Sequence, residues 1–296
     1  MQSTAAAAPV PTLPFFSLAG KTAVVTGGAR GLGLAMSNAL VLSGANLAIV
    51  DLNVDEAARQ AQAITKTFSE TYPDQKKHNT KPAQLSQPRK RPPKVTAHHA
   101  DVSSKPAVDA ALAEILTAHA GGPITNLIAC AGFCENTAAI DFPPERIRRM
   151  LAVNVEGTYH CATAVAKHMM ARGTAGNMVF VGSISGSVVN YPQRQSLYNA
   201  SKAAVRHLAA SLAVEWAGDG IRVNCLSPGY MLTEVAMNAP ILKEDPGLKA
   251  RWEAMIPLGE MGAPEDLMGT VVFLSSDASR YITGQEIKVD GGYTVC

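Results

Sequence analysis

Lys21 to Thr26 (KTAVVT) is a short apolar, β-branched run that stops in a glycine cluster, Thr26-Gly27-Gly28-Ala29-Arg30-Gly31-Leu32-Gly33. From Leu32 to Ser43 the apolar residues recur at helical spacing, and Asn46 to Asp51 (NLAIVD) is again continuously apolar, as strands buried on both faces are. Strand, glycine turn, helix and strand make a right-handed βαβ unit. Further apolar runs at Val95 to His99, Ile124 to Cys130, Asn177 to Gly182, Arg222 to Leu226 and Glu286 to Val289 alternate with helical stretches. Seven strands in this rhythm predict a single α/β domain built on a doubly wound, seven-stranded parallel sheet.

The glycines also predict a ligand. Gly27, Gly31 and Gly33 allow a sharp turn from strand to helix, let backbone N–H groups approach a pyrophosphate, and let the helix pack closely on the sheet. The helix N-terminus then turns its positive end to the phosphates. Asp51 closes the next strand 18 residues after Gly33, where a carboxylate bonds the two ribose hydroxyls of an adenosine and repels a 2′-phosphate. That favours NAD, while Arg30, able to meet such a phosphate, keeps NADP as the alternative. Asp101, with Val102 beside it, is placed after the third strand to meet the adenine amino group.

Far downstream, Tyr198 and Lys202 frame a YxxxK run, one helical turn apart and so on one face. A fixed cation beside a phenol stabilises the phenolate and lowers its pKa from about 10, so the pair reads as an acid/base unit.

In this order the motifs resemble those of the short-chain dehydrogenase/reductase family, over residues 17–296. The likeness rests on the glycine motif, Asn154 within Val153-Asn154-Val155-Glu156-Gly157, a serine, YxxxK, and Pro228-Gly229-Tyr230-Met231-Leu232-Thr233. The closing Val289-Asp290-Gly291-Gly292-Tyr293 is similar as well. The resemblance implies a Rossmann-type oxidoreductase domain in which Tyr198 moves the alcohol proton. Lys202 would tune Tyr198 and hold the nicotinamide ribose, and Asn154 would anchor a water in the relay. It also implies that Leu32, Ala131, Gly132, Pro228, Gly229 and Thr233 line the cofactor. Of two candidate serines, Ser185 has the usual spacing to Tyr198, whereas Ser183 lies at the strand end; strand register favours Ser183 against the substrate oxygen, with Ser185 lining the same pocket. One departure stands out: Cys130-Ala131-Gly132 replaces the family's Asn-Ala-Gly, removing an amide that braces the sheet.

The loops that follow the strands resemble the family's polyol branch, whose arabinitol, sorbose and mannitol enzymes interconvert sugar alcohols and ketoses. Glu135, Asn190, Gln195 and Tyr230, with Ser185, are candidates to bond several hydroxyls of a polyol or ketone substrate of the D-arabinitol/D-ribulose type. Met231, Met237, Trp252 and Met255 allow a second reading, an apolar lid for a ketoreductase acting on an aromatic or polyketide-like metabolite. A third, a cofactor sensor without turnover, is disfavoured by the intact Ser/Tyr/Lys/Asn set.

Elsewhere the sequence is plainer. Residues 1–16, rich in Ala and Pro, read as a loose tail rather than a leader. Residues 69–94 are basic, Pro-rich and almost without apolar side chains, an insertion read as a solvated loop; its Pro88 to Lys94 end is similar to a polyanion-binding patch but reads better as plain charge. A net charge of +2 gives no case for nucleic acid, and no apolar run reaches the ~18 residues a membrane span needs. Five cysteines, an odd number, point to reduced thiols and a cytoplasmic setting. Cys130 and Cys134 lack the companions of a metal site, so none is expected. The helices of Asn154 to Met170 and Tyr198 to Trp216 are apolar on more than one face, which predicts a homodimer or homotetramer.

Overall fold

The structure, a computed structural model, describes residues 12–73, 92–233 and 240–296. Most of the tail, the basic insertion from residue 74 to 91 with the start of its Pro88 to Lys94 end, and Met237 lie outside the described residues. Two edges of those segments are visible. Leu13–Phe16 forms a 3-10 turn whose Phe16 ring packs 6.2 Å from Phe273, and helix α2 continues to Thr71, so the insertion starts later than the composition suggests.

Seven strands form one wholly parallel sheet in the order β3-β2-β1-β4-β5-β6-β7. They are β1 Thr22–Thr26, β2 Asn46–Asp51, β3 Val95–His99, β4 Asn126–Ala129, β5 Gly176–Val181, β6 Ile221–Pro228 and β7 Glu286–Val289. The helices are α1 Gly31–Leu42, α2 Val54–Thr71, α3 Lys105–Ala118, α4 Pro144–Leu151, α5 Gly157–Ala171, α6 Ser196–Glu215, α7 Pro240–Glu244, α8 Leu248–Ala254 and α9 Met268–Ser275.

Side-chain alternation divides the strands between two cores. Ala23, Val25, Leu47 and Ile49 face the layer that includes α1, α2 and α9, while Val24, Ala48 and Val50 face α3, α5 and α6. Helix α2 shows how the sequence specifies this. Asn53 caps it by accepting from the Glu56 N–H, Asp55 and Glu56 favour its N-terminal dipole, and Ala57, Ala61, Ile64 and Phe68 form one buried stripe. Burying a side chain such as Ile64 or Phe68 stabilises by about 1.5–3 kcal/mol. A smaller apolar cluster of Leu248, Trp252, Ile256 and Met261 sits after β6 and supports the loop that carries Tyr230.

The strand order reverses between β1 and β4. In open parallel sheets, ligands bind beyond the carboxyl ends of the strands at such a switch point. The ends of β1, β2, β4, β5 and β6 deliver the glycine turn, Asp51, Cys130-Ala131-Gly132, Ser183 and Gly229 to that edge.

Candidate active site

The glycine turn is shaped by close contacts. Gly27 has φ +65°, and a Cβ there would lie 2.9 Å from Ala131 Cα; at Gly33 a Cβ would lie 2.1 Å from the Gly27 carbonyl oxygen. Gly28, which the motif did not single out, is nearly as confined: a Cβ would meet Ile49, Ser37 and the Val25 carbonyl at 3.1 Å. Arg30 is exposed and extended at the N-cap of α1, and Leu32 is part-buried in the first turn. Both Asp51 oxygens are held by backbone, Oδ2 by the Ala29 N–H at 3.1 Å and Oδ1 by the Asn53 N–H at 3.0 Å, which fixes the carboxylate against the glycine turn. Asp101 accepts from the Ser103 amide and hydroxyl, and this hydroxyl bond is the main reason its carboxyl lies below the ordinary value. Val102 is buried, with its methyls where a Cβ on Gly157 would be, so only its backbone is left to meet a ligand.

Thr26 explains how the sheet tolerates Cys130. Its Oγ1 accepts from the Cys130 and Ala131 amides at 3.2 Å each, bracing β4 against β1 without the missing side-chain amide. Gly132 then passes close to Asn154, whose Oδ1 would lie 3.1 Å from a Cβ there. Pro228 ends β6, and Gly229 touches the backbone of Asp290, at 2.7 Å from a built Cβ to Cα, while Thr233 is the nearest neighbour of Gly31. A dinucleotide fits this cradle: backbone rather than side chain lines the turn, and a fixed carboxylate stands at its end.

Across the carboxyl edge, Lys202 Nζ lies 5.7 Å from the centre of the Tyr198 ring. It donates to the Val181 carbonyl at 2.8 Å and is buried, which depresses its pKa. The ammonium therefore lies over the ring, and the expectation of a lowered phenol pKa is not met. Burial pushes Tyr198 well above its ordinary value, and the nearby Cys134 adds to the rise; its side-chain contact with Ser183 opposes it. The ring keeps some accessible surface, so the enclosure is local to the hydroxyl. Ser183, part-buried at the end of β5, is the serine in contact with Tyr198, and Ser185 stands behind it at 3.1 Å.

Asn154 sits in a π-helical segment, Ala152–Glu156, between α4 and α5, a departure common at functional sites. Its amide is fully engaged: Oδ1 accepts from the Phe133 N–H, and Nδ2 donates to the Phe133 carbonyl and to Ser201 Oγ, all at 3.0 Å. Its side chain thus ties the β4 loop to α6 next to Tyr198.

The residues expected to touch substrate are largely bonded to one another. Ser185, Asn190 and Gln195 are 6, 4 and 7% exposed and form one hydrogen-bonded cluster. Tyr230 receives bonds from Gln193 at 2.7 Å and Asn190 at 3.3 Å, stacks on Trp252 at 4.7 Å, and meets Tyr293 edge-on at 5.4 Å. Glu135 is paired with Arg146 at 2.6 Å. Sequence reading missed Thr26, Gly28, Ser201, Gln193 and Arg146. It missed Gly186 too, where a Cβ would lie 2.7 Å from the Lys202 backbone. Only Arg146 gave a signal, an opposite charge near Glu135. Cys134 Sγ lies 3.8 Å from Gln195 Oε1, although the residue as a whole is exposed. All five cysteines are free, and among the described residues no group of three His, Cys, Asp or Glu is placed to hold a metal.

A parallel sheet that offers a backbone cradle at its switch point, with a part-buried phenol and hydroxyl beside a buried ammonium along the same edge, defines a nicotinamide-dependent alcohol oxidoreductase. Comparison with known proteins agrees. Residues 71–294 match the family model described as enoyl-(acyl carrier protein) reductase, and residues 21–75 the model described as short chain dehydrogenase. A D-arabinitol 2-dehydrogenase (ribulose-forming) of Candida tropicalis is 36% identical over 95% of both chains. An NADP-dependent mannitol dehydrogenase of Hypocrea jecorina is 36% identical over 97% of this chain and 98% of its own. A crystal structure of a gluconate 5-dehydrogenase from Burkholderia cenocepacia, in complex with NADP and tartrate, superposes with a TM-score of 0.81 at 30% identity, covering 97% of this chain and 100% of that one. The chain belongs to the short-chain dehydrogenase/reductase family.

Proposed function

We propose that the protein is an NAD-dependent oxidoreductase that interconverts a secondary alcohol of a polyol with its ketose, of the D-arabinitol/D-ribulose kind. The observation that carries this reading is the enclosed Tyr198–Ser183 contact above the Lys202 ammonium, in a chain whose full-length relatives include polyol enzymes. The bound nicotinamide supplies or takes up the hydride. Ser183 polarises the substrate oxygen, and Tyr198 gives its proton to that oxygen in reduction and takes it in oxidation. Lys202 holds the nicotinamide ribose and adds positive charge beneath the ring. Asn154 keeps the β4 loop and α6 in register, so that Gly132 backs the cofactor while Tyr198 faces the substrate.

Preference for NAD rests on Asp51, whose anchored carboxylate accepts ribose hydroxyls and repels a 2′-phosphate. The protein acts as a homodimer or homotetramer in the cytoplasm: Tyr159 and Met170 on α5 and Val214 on α6 are exposed apolar side chains on the two helices named for that role. Among the described residues no helix is long and apolar enough to cross a membrane.

The test is a set of initial rates with NAD and NADP on D-arabinitol, mannitol and sorbitol, and with the reduced cofactors on ribulose, fructose and sorbose. NAD-linked turnover of a polyol is expected, and Asp51→Ser is expected to shift preference toward NADP by at least about tenfold. Turnover of aromatic ketones with silence on every sugar would replace the polyol reading by that of a metabolite ketoreductase. An Asp51→Ser variant that keeps the wild-type cofactor ratio would remove Asp51 from cofactor choice.

A further inference from the structure

Behind Ser183 the hydrogen bonds have only one polarity available. Ser185 Oγ lies 2.5 Å from Asn190 Oδ1, a carbonyl oxygen without a proton, so Ser185 is the donor. Its single hydrogen is spent there. The 3.1 Å contact between the two serine hydroxyls therefore requires Ser183 to donate to Ser185. Gln195 Nε2 reinforces this arrangement, donating to Ser185 Oγ and to Asn190 Oδ1 at 3.1 Å each, while Asn190 Nδ2 points away to Tyr230 Oη. The Ser185 amide donates to Ser183 Oγ at 3.1 Å and pins that oxygen in place. With its proton turned to Ser185, Ser183 presents a lone pair to the neutral Tyr198 phenol.

We infer that Asn190 is a positioning residue for Ser183, acting through Ser185, and that Ser185, Asn190 and Gln195 orient the serine rather than bind the substrate. The inference rests on the proposed role of Ser183 against the substrate oxygen. Burial supports it: all three side chains are closed to solvent and bonded to one another, and the polar atoms left over go to protein groups, Asn190 Nδ2 to Tyr230 and Gln195 Nε2 also to Asn199 Oδ1 at 2.9 Å. A fixed Ser183 oxygen needs only to swing its proton from Ser185 to the substrate, with no side-chain reorganisation in the reacting complex.

A double-mutant cycle on Asn190→Ala and Ser185→Ala tests this, run on the substrate that wild type turns over best in a panel of polyols, ketoses and simple ketones. Each single variant is expected to lose about tenfold or more in kcat with KM within about twofold of wild type, and the double variant to be no slower than the worse single. Asn190→Asp restores an acceptor for Ser185. It should recover most of the kcat lost in Asn190→Ala, and its buried negative charge should displace the oxidation pH profile to alkaline values. Fully additive losses, a rise in KM at unchanged kcat, or an unshifted pH profile in Asn190→Asp would overturn the inference. Wild type that reduces ketones but no sugar would overturn the polyol reading alone, and the cycle would still be read on the ketone.

Discussion

At the scale of single residues, the site departs most from expectation in its charge state. A Lys four residues after a Tyr promises a depressed phenol pKa, yet burial, with Cys134 nearby, leaves Tyr198 raised and protonated. Hydride transfer from an alcohol needs the ionised phenol, whereas ketone reduction needs the neutral one. Below its pKa the ionised fraction grows tenfold per pH unit, so kcat/KM for oxidation is expected to climb from about pH 6 to pH 9 while that for reduction stays nearly flat. A flat oxidation profile would show that another group takes the proton. Tyr198→Phe removes the proton donor and keeps the ring, so kcat is expected to fall at least about 100-fold in both directions with Tm almost unchanged. Spacing put Tyr198 and Lys202 on one helix face, and the family resemblance with strand register added Ser183. Neither could show that Ser185, Asn190 and Gln195 bond one another, because that depends on how the turn after β5 folds back onto α6.

Among the elements, the five inner strands were legible because they are buried on both faces, and a continuous apolar run bounded by glycine or polar residues leaves few alternatives; the edge strands β3 and β7 are only partly buried. The observed β4 is shorter than Ile124 to Cys130 and β6 longer than Arg222 to Leu226, since pairing with neighbours, not hydrophobicity, ends a strand. The π-helical turn at Asn154 was not legible: the apolar spacing around it is ordinary, and its cause is tertiary, the bonds from Asn154 to Phe133 and Ser201. The junction of β1 and α1 gives a prediction that separates confinement from flexibility. Gly33→Ala places a methyl on the Gly27 carbonyl and must displace α1 from the turn, so cofactor affinity is expected to fall more than about tenfold by titration, with a lower Tm. Gly269→Ala, in α9 and with nothing within 4 Å of its Cβ, should instead gain up to about 1 kcal/mol from helix propensity with affinity unchanged. Equal effects of the two substitutions would mean that α1 does not pack against the turn as tightly as the contacts indicate.

For the whole molecule, stability is linked to pH through histidines remote from the chemistry. His119 lies beside Lys94 and His98 at the β3 edge of the sheet, and burial, then the Lys94 cation and the repulsion a protonated His98 would add, depress its pKa to about 4. His98, buried and bonded to Thr96 Oγ1 at 2.9 Å, is also depressed by burial, although Glu114 at 3.5 Å opposes the shift. His168 accepts the Ile124 N–H on Nε2 at 3.2 Å, a bond that only the unprotonated ring can accept, and burial lowers it too. Each is neutral in the folded chain where the unfolded chain would bind a proton. Their contribution is therefore complete above pH 6.5, the unfolded value, and is lost as pH falls, for His119 through to about 4. One such proton changes stability by at most about 1.4 kcal/mol per pH unit, less for a part-exposed ring in salt. The depressed carboxylates Glu56 and Asp101 start from ordinary values of 4.5 and 3.8, so they add to the loss only at the acid end of that window. Tm measured between pH 7.5 and 5 is expected to drop steadily, and His119→Gln should flatten that slope while leaving kcat at neutral pH unchanged, since the ring is far from Tyr198 along the sheet. A slope identical to wild type would assign the acid sensitivity to His98 and His168, whose rings are tied directly to the sheet edge and to the strand that enters β4.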